Sequence, residues 1–144
     1  MTLAKALAGG IPMGAMLARE HVAASFLPGT HASTFGGTPF VSAVAHAVVT
    51  TIIQEDLPGN AARVGKYFLD HLVALKARHR IVTAVRGKGL ILGLGVSVPA
   101  RTIVSGCMGR GLLTLTAGED VVRFVPPLIV TEADVDRAAG ILNE

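Results

Sequence analysis

The chain has 144 residues, 51% of them hydrophobic and only 16% charged, with a mean hydropathy of +0.57, whereas soluble domains usually carry about 25% charged residues. The net charge of +3 includes no dense Lys/Arg run and the 4% of aromatic residues include no Trp, so a nucleic-acid-binding surface is not expected. No apolar stretch reaches the roughly 20 residues of a membrane-spanning helix, so we expect the apolar excess to be covered by large interfaces, by further protein, or by both.

The chain alternates short apolar runs with stretches of helical spacing, which is typical of a mixed α/β chain. Thr38 and Pro39 suit the N-cap and first turn of a helix, and Thr131 suits the N-cap of the last helix, with Asp134 in the capping-box position. In the first part of the chain, the predicted elements are a strand at 15–17, a short helix at 19–26, a polar loop at 30–37, a helix from Pro39 to about Glu55 and a break at 57–60. A second long helix is predicted to end near Arg78, with Val64, Phe68, Leu72 and Leu75 on its apolar face. The remaining predicted elements are strands at 81–85 and 90–96 around a connection at 86–89, a helix at 99–109, strands at 112–115 and 121–125 around a turn at 118–120, and a final helix after Thr131.

Lys5 stands almost alone in an apolar, glycine-rich segment, residues 3–14 (LAKALAGGIPMG), and the next lysine is Lys66. An apolar setting disfavours the ammonium form, and the neutral amine is the form that attacks an aldehyde to give a Schiff base. The glycines and Pro12 would let the backbone pack beside a planar ligand. An ordinary surface lysine near the start of the chain is the alternative.

Two further segments carry polar groups at positions that suit the binding of an anion. Residues 29–39 (GTHASTFGGTP) lead into the helix predicted at Pro39, and hydroxyls with free backbone N–H groups before a helix suit an anion, above all a phosphate. Residues 122–128 (VRFVPPL) place Arg123 at the end of an apolar strand, before a rigid Pro-Pro turn. A guanidinium held in this way can bind a carboxylate through two hydrogen bonds. Taken singly, an ordinary capping loop and a strand-end surface arginine remain open alternatives.

Taken together and in order, these segments resemble the class III pyridoxal-phosphate aminotransferases, especially those acting on acetylornithine. The resembling segments are residues 3–15, 31–37, 85–90 (VRGKGL) and 123–128. The similarity covers essentially the whole chain, and four segments in register outweigh the separate alternatives. The resemblance implies an α/β fold: the end of the large domain of a fold-type I aminotransferase with its connecting helix at 1–56, and its C-terminal small α+β domain at 57–144.

The resemblance also implies a role for each of four residues. Lys5 would bind pyridoxal 5'-phosphate as a Schiff base and, once released, move the proton between the substrate α-carbon and the cofactor. Thr34 would bond the cofactor phosphate of the neighbouring subunit, Ser33 would touch substrate, and Arg123 would hold a substrate carboxylate such as that of glutamate. A homodimer with shared active sites follows from the role of Thr34. The single Cys107 excludes an intrachain disulfide and fits a cytoplasmic enzyme.

The implied reaction is transamination of N-acetylornithine with 2-oxoglutarate, giving N-acetylglutamate semialdehyde and glutamate, a step of arginine biosynthesis. The alternatives are transamination of ornithine, 4-aminobutyrate or succinyldiaminopimelate, glutamate-semialdehyde isomerisation, and a non-catalytic dimerisation fragment. The sequence departs from the family pattern at Thr38, where Asn is usual, and lacks the long part that precedes the lysine and carries the ring-binding residues. We therefore expect the 144-residue chain to be a fragment with little or no transaminase activity by itself.

Two other kinds of site are not expected. Residues 9–14 (GGIPMG) match neither the G-x-G-x-x-G fingerprint nor a Walker motif, which argues against a nucleotide site. The five histidines are scattered without a partner Cys or carboxylate at ligand spacing, which argues against a metal site.

Overall fold

The computed structural model describes residues 1–144 and divides them into two compact units, Met1–Glu55 (unit 1) and Asp56–Glu144 (unit 2). Unit 1 contains strands β1 (Thr2–Leu3) and β2 (Ala15–Met16), a 3-10 turn (Lys5–Ala8), and helices α1 (Glu20–Ala23) and α2 (Pro39–Gln54). Unit 2 contains helices α3 (Leu57–Arg78), α4 (Ala100–Gly109) and α5 (Glu132–Leu142), with strands β3 (Val82–Lys88), β4 (Ile91–Val96), β5 (Leu115–Thr116) and β6 (Val121–Phe124). No single helix is long and apolar enough to cross a membrane; α2 and α3 reach that measure only when counted together across the break between them.

Unit 1 has a small core, made where the 3-10 turn packs on α2. Ala8, Val41 and Ala45 are buried there, and partly buried apolar side chains surround them. The two strands form a short antiparallel hairpin in which Thr2 pairs with Met16. Many apolar side chains of this unit stay exposed, among them Phe35 at 82%. The apolar excess of the sequence is therefore visible as uncovered surface in this unit.

Unit 2 is built on a four-stranded antiparallel sheet of order β3-β4-β6-β5. Its main core joins α3 to the sheet, and Phe68 meets Phe124 edge to face with ring centroids 5.1 Å apart. The apolar face predicted for the second helix is confirmed, because all four of its residues are buried. The buried residues of this core are Val64, Phe68, Leu72, Leu75, Val82, Leu90, Leu92, Leu94, Val96, Ala100, Val122, Phe124 and Val135.

The helix break predicted at residues 57–60 is wrong, since α3 already begins at Leu57. The chain turns one residue earlier, at Asp56, which has φ 46° and accepts a hydrogen bond from the Gly59 N–H on its side chain at 3.2 Å. Pro58 and Gly59 suggested a break, but proline is tolerated in a first helical turn, where its missing N–H has no intrahelical partner. The start of α3 therefore depends on a left-handed aspartate rather than on the proline.

The connection predicted at residues 86–89 is also wrong, because β3 continues through Lys88, which pairs with Ile91. Gly87, at φ +143°, lets the strand keep its pairing in a conformation that other residues rarely adopt. Two predicted elements are shorter in the structure: the helix at 19–26 is Glu20–Ala23, and the strand at 112–115 is Leu115–Thr116. The latter starts late because the Leu112 N–H is bonded to the Cys107 carbonyl at the end of α4.

Candidate functional site

Lys5 occupies a strained position in the connection between the two strands of unit 1. It opens the 3-10 turn with φ 61°, in the left-handed region that residues other than glycine rarely enter, at a cost on the order of 1–3 kcal/mol. Its side chain is exposed and takes part in no salt bridge or side-chain hydrogen bond. The apolar surrounding expected for Lys5 is therefore not found within this unit, because its apolar neighbours turn towards α2 and leave it at the surface.

The turn that carries Lys5 is anchored on α2 by close packing. Ala8, three residues after Lys5, has no exposed surface and packs against Val41 and Ala45. At Gly9, whose φ is +61°, an added Cβ would lie 3.3 Å from Cγ2 of Val48. Small residues at 8 and 9 thus let the turn approach the helix closely, and this approach fixes the backbone from which the Lys5 side chain extends.

Ser33 and Thr34 lie in the loop that precedes α2. The Ser33 hydroxyl accepts a hydrogen bond from the Gly36 N–H at 2.9 Å, which folds the loop back on itself. Thr34 is exposed and its hydroxyl has no hydrogen-bond partner. Thr38 is the N-cap residue of α2, as predicted, but its side chain makes no capping bond. The loop therefore presents a free hydroxyl four residues before a helix N-terminus that lacks a side-chain cap. Hydroxyl and N–H groups of this kind are donors that suit an anion.

Arg123 lies on β6, between two neighbouring strands of unit 2. Its Cα partners are Gly93 on β4 and Leu115 on β5, so the backbone is held on both sides. The side chain is exposed, and the guanidinium makes no salt bridge. A free guanidinium on a backbone fixed by two ladders is suited to binding a carboxylate in a defined orientation.

Asn60 holds the segment that follows the Pro-Pro turn, and sequence reasoning missed this role. Its side-chain amide donates to the carbonyl of Leu128 at 2.7 Å and to that of Val130 at 3.1 Å. Directly after, Thr131 and Asp134 form the predicted capping box of α5. The hydrogen bond from the Thr131 hydroxyl, followed by that from its backbone N–H, lowers the pKa of the Asp134 carboxyl. In the sequence, Asn60 is only a polar residue within the segment predicted to break the helix, and nothing local indicates its distant carbonyl partners.

A cavity of about 370 Å³ lies beside this part of the sheet. It is bordered by Arg123 and Asp134, which carry opposite charges, and by apolar residues that include Phe68, Leu113 and Pro127. Arg123 and Asp134 are not within salt-bridge distance of each other. Unit 2 therefore offers an apolar recess with a free cation at its border.

The four predicted site residues are divided between the units. Lys5, Ser33 and Thr34 belong to unit 1, and Arg123 belongs to unit 2. Within unit 1 the structure does not bring Lys5 into hydrogen-bond contact with Ser33 or Thr34, whose surroundings are local. Within unit 1, the amine of Lys5 and the hydroxyl loop are thus two separate candidate binding elements.

Comparison with known proteins gives one consistent result. A family model described as "Aminotransferase class-III" matches residues 1–144. An acetylornithine aminotransferase of Clostridium acetobutylicum is 44% identical over 143 residues, which is 99% of this chain but 37% of that protein. Among solved structures, acetylornithine aminotransferase from Elizabethkingia anophelis superposes with a TM-score of 0.91 at 31% identity, covering 99% of this chain and 39% of that one. Plasmodium falciparum ornithine delta-aminotransferase does so with a TM-score of 0.91 at 33% identity, covering 99% and 38%. The chain thus spans well under half the length of the proteins it matches.

Proposed function

Because the chain belongs to the class-III aminotransferase family, we propose that it forms the part of a pyridoxal-phosphate-dependent aminotransferase that carries the cofactor-binding lysine, Lys5, and a substrate-binding arginine, Arg123. The fold class expected from the sequence, part of an α/β fold-type I aminotransferase, is confirmed by the superposition on aminotransferase structures. The observation that carries the proposal is the family match over all 144 residues.

The donor set of unit 1 fits pyridoxal 5'-phosphate. The cofactor has an aldehyde, which requires an amine, and a phosphate, which requires hydroxyl and N–H donors. Lys5 offers an amine engaged in no salt bridge, held on a strained backbone that packs on α2. The loop before α2 offers the free hydroxyl of Thr34 and helix N–H groups without a side-chain cap. When bound, the cofactor supplies a ring that takes up electrons from the substrate carbon that loses its proton.

The residues of this chain have distinct tasks in the proposed reaction. Lys5 holds the cofactor through its ε-amine and, when free, accepts and returns the proton of the substrate α-carbon. The Thr34 hydroxyl donates to the cofactor phosphate of the neighbouring subunit, and Ser33 contacts substrate. Arg123 orients the substrate by binding its carboxylate through two parallel hydrogen bonds. A homodimer with shared active sites is part of the proposal, because Thr34 then serves its neighbour, and exposed apolar residues such as Phe35 fit an interface.

For the whole protein we propose transamination between N-acetylornithine and 2-oxoglutarate, in cytoplasmic arginine biosynthesis. The support is that a relative with 44% identity is named acetylornithine aminotransferase. Ornithine is the second candidate, because the structure named ornithine delta-aminotransferase superposes equally well. Parallel assays with both amino donors on the whole protein would separate the two: a higher kcat/KM with ornithine would refute the first choice.

We also propose that the two units correspond to parts of two different domains. Residues 1–56 would be the C-terminal portion of the cofactor-binding large domain with its connecting helix, and residues 57–144 the small α+β domain. The division in the structure lies between Glu55 and Asp56, at the left-handed residue that starts α3. A turn of this kind, at a single strained residue between two helices, suits a boundary between domains.

The test of cofactor binding is a visible absorption spectrum of the 144-residue chain with pyridoxal phosphate, followed by borohydride reduction and peptide mapping. We expect a Schiff-base band, and a reduced pyridoxyl label on Lys5. Lys5→Ala should remove both, while Lys66→Ala should leave both unchanged, because Lys66 is an exposed lysine on α3 paired with Asp70 at 2.6 Å. Equal labelling of wild type and Lys5→Ala would contradict the proposal for this chain and favour a non-catalytic dimerisation role.

A further inference from the structure

Unit 2 has a second cavity, which is separate from the recess beside Arg123. It has a volume of about 270 Å³ and is bordered by residues of α3, α4 and α5 and of strands β3 and β4. No residue borders both cavities. The walls are mainly apolar, with Leu75 of α3, Leu94 of β4 and Ile103 of α4 among them. An apolar space of this size can hold a small uncharged molecule.

The thiol of Cys107 belongs to the wall that α4 contributes to this cavity. Cys107 is only 4% exposed, and burial raises the pKa of its thiol. Ile141 and Leu142, in the last turn of α5, border the same cavity and are partly buried. A molecule from solvent has to pass the border of the cavity before it reaches the sulfur. The reactivity of Cys107 therefore reports whether that border is open.

Two exposed polar contacts hold the end of α5 at this border. The Glu144 carboxylate accepts a hydrogen bond from Nε of Arg110, the residue after α4, at 2.7 Å. Oδ1 of Asn143 lies 3.1 Å from Nε2 of His79, the residue after α3. Exposed contacts of this kind shift an equilibrium by only about threefold each. Gly140, near the same end of α5, lowers the helix propensity of the last turn.

The first half of α5 is held by the core instead. Thr131 and Asp134 form its capping box, and Val135, the only buried residue of the helix, lies in the main core. Tyr67 of α3 also donates a hydrogen bond to Asp136 at 2.8 Å. Segments with few buried contacts open at low free energy, whereas segments held by the core open with the whole domain. The last turn of α5 is therefore expected to open before the first half does.

We propose that residues 141–144 are a lid on the second cavity, which opens by local unfolding of the last turn of α5 while the rest of unit 2 stays folded. Opening admits a small uncharged molecule to the cavity and to Cys107. The recess beside Arg123 is not disturbed, because the residues of α5 that border it, Asp134, Val135 and Ala138, precede the lid. The lid thus makes the second cavity accessible part of the time, independently of the candidate substrate site.

The test is the rate at which N-ethylmaleimide, a small uncharged reagent, labels Cys107 in the native 144-residue chain, followed by intact mass. When the lid closes faster than the reagent reacts, this rate follows the population of the open lid. Glu144→Gln and Asn143→Ala should each raise the rate about threefold, and the double variant about tenfold. Urea below the unfolding transition should hardly change the rate, because opening one helical turn exposes little surface. Labelling through global unfolding would instead accelerate about thirtyfold per molar urea.

Glu132→Gln is the matched control, because it removes the other exposed ion pair of α5, with Arg63, at the same distance of 2.7 Å but at the fixed end of the helix. It should leave the labelling rate within about 1.5-fold of wild type. Hydrogen exchange of the Asn143 amide, which donates to the Ala139 carbonyl at 3.1 Å, gives a second readout that does not involve the thiol. Glu144→Gln should accelerate this exchange by the same factor as the labelling.

Three outcomes would overturn the lid. Equal acceleration by Glu132→Gln and Glu144→Gln would show that the whole helix opens. A steep dependence on urea would show that the thiol is reached only through global unfolding. Rapid labelling at the same rate in all variants would show that the cavity stands open without any movement of α5.

Discussion

Gly65 marks a place where α3 touches backbone of the sheet, and replacing it with alanine tests the packing of unit 2. An alanine Cβ at this buried position would lie 2.7 Å from Cα of Gly89 and closer still to the Gly89 carbonyl. Backbone atoms cannot move aside by changing rotamer, so the helix or the β3–β4 turn must shift. Overpacking of this kind costs up to about 3 kcal/mol, while alanine gains about 1 kcal/mol of helix propensity over glycine. We therefore expect Gly65→Ala to lower the free energy of unfolding by about 2 kcal/mol.

Gly140→Ala is the matched control, because Gly140 is an exposed glycine of α5 with no atom within 4 Å of an added Cβ. The same substitution should there raise the free energy of unfolding, by up to about 1 kcal/mol. Urea unfolding can be followed by the fluorescence of Tyr67, the only tyrosine in a chain without tryptophan. With a urea m-value of about 2 kcal/mol/M, the midpoint of Gly65→Ala should fall by about 1 M. A midpoint at or above that of wild type would refute the close approach of α3 to the β3–β4 turn.

Three further outcomes are expected from the polar and titratable groups of unit 2. Thr131→Ala removes the N-cap of α5 and should destabilise the chain by about 1 kcal/mol. Because Thr131 lowers the pKa of Asp134, wild type should lose this stability as the pH falls through the folded-state pKa, whereas the variant should lose less. Urea midpoints measured between pH 7 and acidic pH would show the difference. Burial raises the pKa of Cys107, so its thiol should react slowly with a disulfide reagent in the native chain and rapidly in urea, and rapid native labelling would contradict that burial. The hydrogen bond from Tyr67 to Asp136 raises the pKa of the Tyr67 phenol, so Asp136→Asn should lower that pKa in an absorbance titration, and an unchanged titration would argue against the bond.

The regular parts of unit 2 could be predicted from the sequence because periodicity reports burial directly. Val64, Phe68 and Leu72 recur at helical spacing, and all three are buried against the sheet. The strand predicted at 90–96 is found at 91–96, where leucine and valine on one face alternate with isoleucine and glycine on the other. These patterns depend on contacts along one element, which a local sequence window contains.

Other features could not be predicted because they depend on partners distant in sequence or on rare backbone conformations. Arg86 and Lys88 suggested a polar connection, yet they extend β3 because β4 offers them a ladder. Asp56 starts α3 from a left-handed conformation that residue type alone does not reveal. For the site, the family resemblance indicated Lys5, but the strain at that residue was visible only in the structure.

The two units hold their candidate site residues in different ways, and this difference has a consequence for function. Arg123 is held by ladders on both sides, and the segment after it is fixed by Asn60 through two carbonyls, so its position is set by the folding of unit 2 itself. Thr34 has only a local turn around it, in which Ser33 binds the Gly36 N–H. Because the backbone of Arg123 is already fixed, only its exposed side chain has to be ordered when a ligand binds. A residue in a loop with only local hydrogen bonds also needs its backbone ordered, so the proposed binding at Thr34 should carry a larger entropic cost than the proposed binding at Arg123. For the roles proposed above, selectivity should therefore depend mainly on Arg123, whereas the hydroxyl loop should contribute mainly to whether the phosphate-bearing ligand is retained.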